Sequence, residues 1–284
     1  MRCTTAPSVG APGASSCPVV TRRASVAWRP AVRTIAGMDT QRPLPETRRL
    51  ARCAGLLYTL VALIAPIGLF YVPGRLVVPG NAGETAARIV AHPGLLRLGM
   101  GTELFHQALE VWLVLVLFEL FRPVGLRLSR QMLVLGLIPI PLVFLNVINE
   151  LAALGLVLPG PSALAIDPGQ RQSLALFFLH LHAQGLQLAE VFWGLWLFPL
   201  GLLAWRSGFM PRLIGACAIA GGTGYLLDAG LNLLAPSLAD SLGSGVVALQ
   251  LGEPVMILWL LIAGARVPRQ VGGAQAPAPR VSTC

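Results

Sequence analysis

The chain has 284 residues, of which 55% are hydrophobic and only 12% charged, with a mean hydropathy of +0.71. Soluble domains carry about 25% charged residues, so this composition excludes an ordinary soluble globule and points to a multi-pass membrane protein. The net charge is +9 and all 21 basic residues are Arg, yet most of them sit at the ends of apolar stretches on one side, which is the positive-inside pattern and needs no nucleic-acid partner.

Residues 1–37 contain five Arg and no acidic residue. No apolar region follows Arg22-Arg23, so this is not a signal peptide. The segment reads as part of a disordered basic tail over 1–47, with Met38 as an alternative start of translation. A second tail covers 267–284. The cysteines are uninformative: Cys3, Cys17 and Cys284 lie in the tails, and Cys53 and Cys217 near the ends of spans, so no disulfide framework or Cys-x-x-Cys metal motif exists.

Six spans are predicted between the tails, over about 53–72, 95–121, 131–158, 174–205, 213–234 and 245–264. Span 1 is preceded by Arg48, Arg49 and Arg52. In the loop after it, Asn81-Ala-Gly-Glu84 has the form of a capping box, and a short helix should run to about Ala91 before Pro93. His92 belongs to that loop as a solvated residue. Span 2 carries Glu103, His106, Gln107 and Glu110 within an arc of roughly 100° of one helix face. An ionisable group facing hydrocarbon costs at least ~2.5 kcal/mol, so this strip must face protein or water. Glu119 lies on the opposite face, close to the inner headgroups and within reach of an inner Arg.

In span 3, Pro139 and Pro141 should bend the helix, and Asn146, Asn149 and Glu150 share a face. The loop 159–171 contains Pro159, Pro161 and Pro168. Span 4 holds His180, His182, Gln184, Gln187 and Glu190. It is longer than a bilayer requires, so its first turns should stand outside the hydrocarbon or the helix should tilt. In span 5, Ala216, Ala220 and Gly224 form a small-residue ridge that leads to Asp228 and Asn232. Span 6 carries Gln250 and Glu253 beside Pro254.

With both termini on the inner side, inner segments hold 17 Arg and outer ones four, namely Arg75, Arg88, Arg97 and Arg171. Both termini are therefore expected in the cytoplasm of a bacterial cell, with membrane lipid as the surroundings. At 1.5 Å per residue, Glu103, Asn149, Glu150, His182, Asp228 and Glu253 all fall about 9–14 Å from the outer ends of their spans, and Glu110 about 22 Å. Five spans thus place an acid or histidine in the outer half of the bilayer. A polar cavity is expected there, open outward or sealed by the loops 73–94 and 159–171.

Several short stretches carry a family resemblance. Ala51-Arg-Cys-Ala-Gly-Leu-Leu-Tyr58, Leu96-Arg-Leu-Gly99, Leu181-His182-x-x-Gly185, Arg206-Ser-Gly-Phe-Met-Pro-Arg212, Gly224-Tyr-Leu-Leu-Asp228 and Gly252-Glu253 with Leu258-Trp-Leu-Leu261 resemble, in order and spacing, the bacterial membrane family catalogued as domain of unknown function 4386. The resemblance covers about residues 48–266. It implies six membrane helices and no particular activity. His182, Asp228 and Glu253 match the family pattern most closely.

The candidate site is centred on Glu103, His106, Glu110, His182, Asp228 and Glu253, with Glu150, Glu190, Asn149 and Asn232 in second rank. Carboxylate and imidazole ligands suit divalent Zn, Mn or Fe. Glu103-x-x-His106 has the spacing found in di-metal carboxylate bundles, although those use two such pairs and only one is present here. A metal with an open position would activate water for hydrolysis. The same residues also suit proton-linked transport or the sensing of a small molecule or lipid, or a purely structural set of interhelical contacts. No internal repeat, nucleophile motif or phosphate loop favours another chemistry.

Overall fold

The computed structural model describes residues 44–158 and 165–264. The expected segments 1–43, 159–164 (with Pro159 and Pro161) and 265–284 lie outside them. The described elements are α1 Leu44–Pro66, a π-helical turn Ile67–Tyr71, α2 Val72–Leu76, α3 Ala82–Ala91, α4 Pro93–Phe121, α5 Leu126–Leu137, α6 Pro139–Val157, α7 Pro168–Arg206, α8 Arg212–Leu234, α9 Pro236–Gln250 and α10 Gly252–Ile262. No strand occurs among the described residues. Six stretches are long and apolar enough to cross a bilayer: Glu46–Leu76, Pro93–Phe121, Leu126–Val157, Pro168–Arg206, Arg212–Leu234 and Ser241–Ile262. The protein is an all-α, six-span membrane protein.

Several boundaries differ from the sequence-based ones, each for a local reason. Helix α1 begins at Leu44 and not near Cys53, because Arg48, Arg49 and Arg52 continue the helix beyond the apolar run. The last residues assigned to the N-terminal tail are therefore helical. Helix α7 starts at Pro168 and takes in the end of the expected loop. Asp167 caps it by accepting from the backbone N–H groups of Gly169 and Gln170, and Pro168 at the first helical position loses no hydrogen bond. The stretch after span 5 is also helical from Pro236. The short helix α3 forms as expected: Asn81 Oδ1 accepts from the Glu84 N–H at 3.0 Å. Glu84 reaches back only to the Asn81 side chain, and its other oxygen pairs with Arg88 at 2.6 Å.

Three spans are interrupted. Span 3 divides at Ile138, just before Pro139, as the prolines require. Span 1 contains the π-helical turn directly after Pro66. Span 6 breaks at Leu251, between α9 and α10, beside Glu253 and Pro254. In each case a proline removes one backbone N–H from the ladder.

The six spans pack as a ring in chain order: α1 on α4, α4 on α5 and α6, these on α7, α7 on α8, α8 on α9 and α10, and α10 back on α1. The tightest seam joins α7 and α8. A Cβ added at Gly222 would lie 2.7 Å from the Gly194 carbonyl oxygen, and one at Gly201 would lie 2.7 Å from that of Gly215. Both helices thus use a glycine pair seven residues apart, and bare backbone meets bare backbone. The ridge expected from Ala216, Ala220 and Gly224 is a different one: Gly224 lies against Leu249 and Gln250 of α9.

Two apolar clusters fill the ring. One, around Leu117, Phe121, Met132, Leu200, Leu203, Met256 and Leu260, lies toward the Arg-rich ends, where Phe121 stacks on Phe209 at 5.7 Å. At that end Glu119 pairs with Arg122 at 3.3 Å. The other cluster, around Val72, Leu76, Ile89, Leu96, Val147 and Leu179, closes the opposite end over spans 2 to 4. The α2–α3 segment packs on spans 2 to 4 at this end. On α4 the buried Glu103, His106, Gln107 and Glu110 lie between Met100 of one cluster and Leu113 of the other.

We expect Gly222→Ala to lower stability by about 1–3 kcal/mol through overpacking, whereas Gly155→Ala, where a Cβ would meet nothing within 4 Å, should be neutral or slightly stabilising. Thermal unfolding of both variants in the same detergent checks this.

Candidate functional site

Three of the polar spans meet at one point. Glu103 of α4, Glu150 of α6 and His182 of α7 are all buried and offer ligand atoms within 4.8 Å of one another. His182 Nε2 lies 3.2 Å from Glu103 Oε1. On the other side of the ring, His182 Nδ1 donates to the Asn146 carbonyl oxygen at 3.3 Å, and Asn146 Nδ2 donates to the His182 carbonyl oxygen at 2.8 Å. This reciprocal pair locks α6 to α7 and fixes the imidazole, with Nδ1 protonated and Nε2 turned toward the carboxylates. Asn149 supports it by donating to the Asn146 side-chain oxygen at 3.0 Å. Glu103 Oε2 and Glu150 Oε2 are buried without a hydrogen-bond partner.

Glycines set this geometry. A Cβ on Gly185 would collide with the Asn146 side chain, and one on Gly68 would lie 2.7 Å from Glu103 Cγ. Gly68 belongs to the π-helical turn of span 1. The turn brings bare backbone against Glu103 and backs it toward α6 and α7, a known use of π-turns at functional sites.

The remaining candidates form a second centre. A cavity of about 690 Å³ is lined by His106, Glu110, Glu190, Asp228 and Glu253 together with Tyr58, Tyr225, Trp193 and Trp196. Seven residues separate Glu110 from Glu103, so the two centres are offset by about 10 Å along α4. Glu253 accepts from the hydroxyls of Tyr58 and Tyr225, the second at 2.7 Å. Glu190 lies beside Asp228 and accepts from Gln250 Nε2 at 3.3 Å. Asn232 donates to Asp228 Oδ1 at 3.2 Å and so supports that carboxylate.

The six leading residues therefore do not share one centre. Glu103 and His182 come together, joined by Glu150 from second rank. Glu110, Asp228 and Glu253 line the cavity, as does Glu190. His106 is not in the ligand group: three residues on from Glu103 it is rotated about 60° and turns to the cavity, with its Nε2 near Gln107 Nε2 at 3.3 Å. The Glu103-x-x-His106 spacing thus makes no shared ligand pair. His180 is exposed on the far face of α7, and Gln187 lines the cavity.

Sequence reasoning passed over Tyr58, Tyr225 and the two tryptophans. Only three tyrosines occur in the chain, and a mid-span tyrosine needs a partner for its hydroxyl, which is the signal that marks Tyr58 and Tyr225.

The family model for a domain of unknown function (DUF4386) matches residues 53–264. The chain belongs to this family. An uncharacterized protein of Archaeoglobus fulgidus is similar, with 34% identity over 86 residues, covering 30% of this chain and 50% of the relative. The chain thus spans about half the length of that curated relative. No solved structure matches.

Tyr58→Phe and Tyr225→Phe each remove a donor from Glu253. Each is expected to lower stability by about 1 kcal/mol, near the range for interhelical hydrogen bonds in membranes, as measured by unfolding in mixed micelles.

Proposed function

We propose that this multi-pass protein resides in the bacterial cytoplasmic membrane with both termini in the cytoplasm, and that it holds one divalent transition metal between Glu103, Glu150 and His182. The observation that carries the reading is the state of the donor atoms: two buried carboxylate oxygens have no partner, and an imidazole Nε2 is aimed at them because Nδ1 is engaged by a backbone carbonyl. Metal-bound histidines are oriented in this way by their second nitrogen. Two carboxylates and one imidazole suit Zn, Mn or Fe in the divalent state and leave coordination positions open. A metal held there would act as a Lewis acid or lower the pKa of a bound water. The orientation rests on the Arg distribution.

The test is metal content by mass spectrometry on purified, tag-free protein. Stoichiometric metal is expected in the wild type, lost in a Glu103→Gln/His182→Ala variant and kept in Glu110→Gln. Gly185→Ala leaves all three ligands in place but displaces Asn146, and it should lower occupancy. Folded wild type that takes up no Zn, Mn or Fe overturns the proposal.

A further inference from the structure

The cavity beside the ligand group has its own chemistry. Four carboxyl side chains line it, Glu110, Glu190, Asp228 and Glu253, and no Arg is among its lining residues. Glu253 has its tyrosine donors, and Glu190 and Asp228 have each other with Gln250 and Asn232. Glu110 differs. It is only 6% exposed, it lines the cavity, and among the described residues its side chain makes no hydrogen bond or ion pair. A carboxyl removed from water without a partner is costly, and a cation in the cavity removes that cost.

The rest of the wall specifies the kind of cation. Trp193, Trp196, Tyr58 and Tyr225 present aromatic surface, with the Tyr58 and Trp196 rings 6.0 Å apart. Aromatic faces attract weakly hydrated organic cations. Ala62, Ala65, Leu69 and Ile257 add an apolar wall. Phe70 and Leu251 line the cavity and are also 73% and 60% exposed, so it reaches the surface between spans 1 and 6 at membrane depth. That route suits a solute dissolved in lipid. The volume of about 690 Å³ matches a small-molecule site.

We propose that this cavity binds a lipophilic organic monocation that enters from the bilayer, with Glu110 and the Glu190–Asp228 pair facing its charge and the Trp and Tyr rings enclosing its apolar groups. This site is separate from the Glu103–Glu150–His182 group and does not depend on a metal there.

Tetraphenylphosphonium is the probe. Its binding is measured by equilibrium dialysis with full-length protein in phosphatidylcholine nanodiscs, against protein-free nanodiscs. Saturable binding is expected. It should weaken by about tenfold or more in Glu110→Gln/Glu190→Gln, and have no counterpart with tetraphenylborate, an anion of the same shape. The charge comparison uses the wild type alone, so it stands even if a variant does not fold. Absence of a saturable component, equal binding of the anion, or full binding by the folded double variant overturns the proposal.

Discussion

The contact between His182 and Glu103 is the interaction on which the interior of this protein depends. A bilayer offers no water to a buried carboxylate or imidazole, so every such group must meet another polar group or lie in a cavity. With Glu103 on α4 and His182 on α7, one contact fixes how spans 2 and 4 face each other. The Asn146–His182 exchange then fixes span 3 against span 4. On α4 the buried polar residues lie between the two apolar clusters, and the ring closes around them.

Close approach of backbones makes this possible. Membrane helices gain little from burying apolar side chains against one another, since lipid is equally apolar, and must instead pack closely. The Gly194–Gly222 and Gly201–Gly215 contacts do this for α7 and α8, and Gly55 does it for span 1 against the Leu260–Leu261 backbone. The same device recurs at the polar sites, where Gly68 lies on Glu103 and Gly185 on Asn146. The interruptions at Ile67–Tyr71 and Leu251 lie beside polar residues, where irregular backbone in a membrane protein is buried or lines a cavity.

The number of spans and the set of polar residues were legible from hydropathy and helical periodicity. Period alone placed Glu103, His106, Gln107 and Glu110 on one strip. It could not show that the strip serves two centres, because Glu103 and Glu110 point within about 20° of each other and differ by about 10 Å along the axis: at its own level Glu103 meets α6 and α7, while Glu110 meets spans 1, 5 and 6. Glu150 stood in second rank because it belongs neither to the span 2 strip nor to the residues that match the family pattern, and its importance comes from meeting residues 32 and 47 positions away in sequence. The π-turn after Pro66 and the break at Leu251 were hidden for a similar reason. A proline marks where a ladder hydrogen bond is missing, but the neighbouring helix decides whether the backbone bends, bulges or breaks. The ridge read on α8 does give a close contact, of Gly224 with α9, but the α7–α8 glycine seam went unread because several small-residue spacings coexist on α8.

The central claim is that Glu103, Glu150 and His182 form a metal-ligand group separate from the cavity. X-ray absorption at the metal edge of the metal-loaded protein tests it most directly. The account predicts a first shell of oxygen donors with a single imidazole, and loss of the imidazole scattering in His182→Ala but not in His106→Ala. A spectrum with two imidazoles, or one in which His106→Ala removes the imidazole signal, would contradict it.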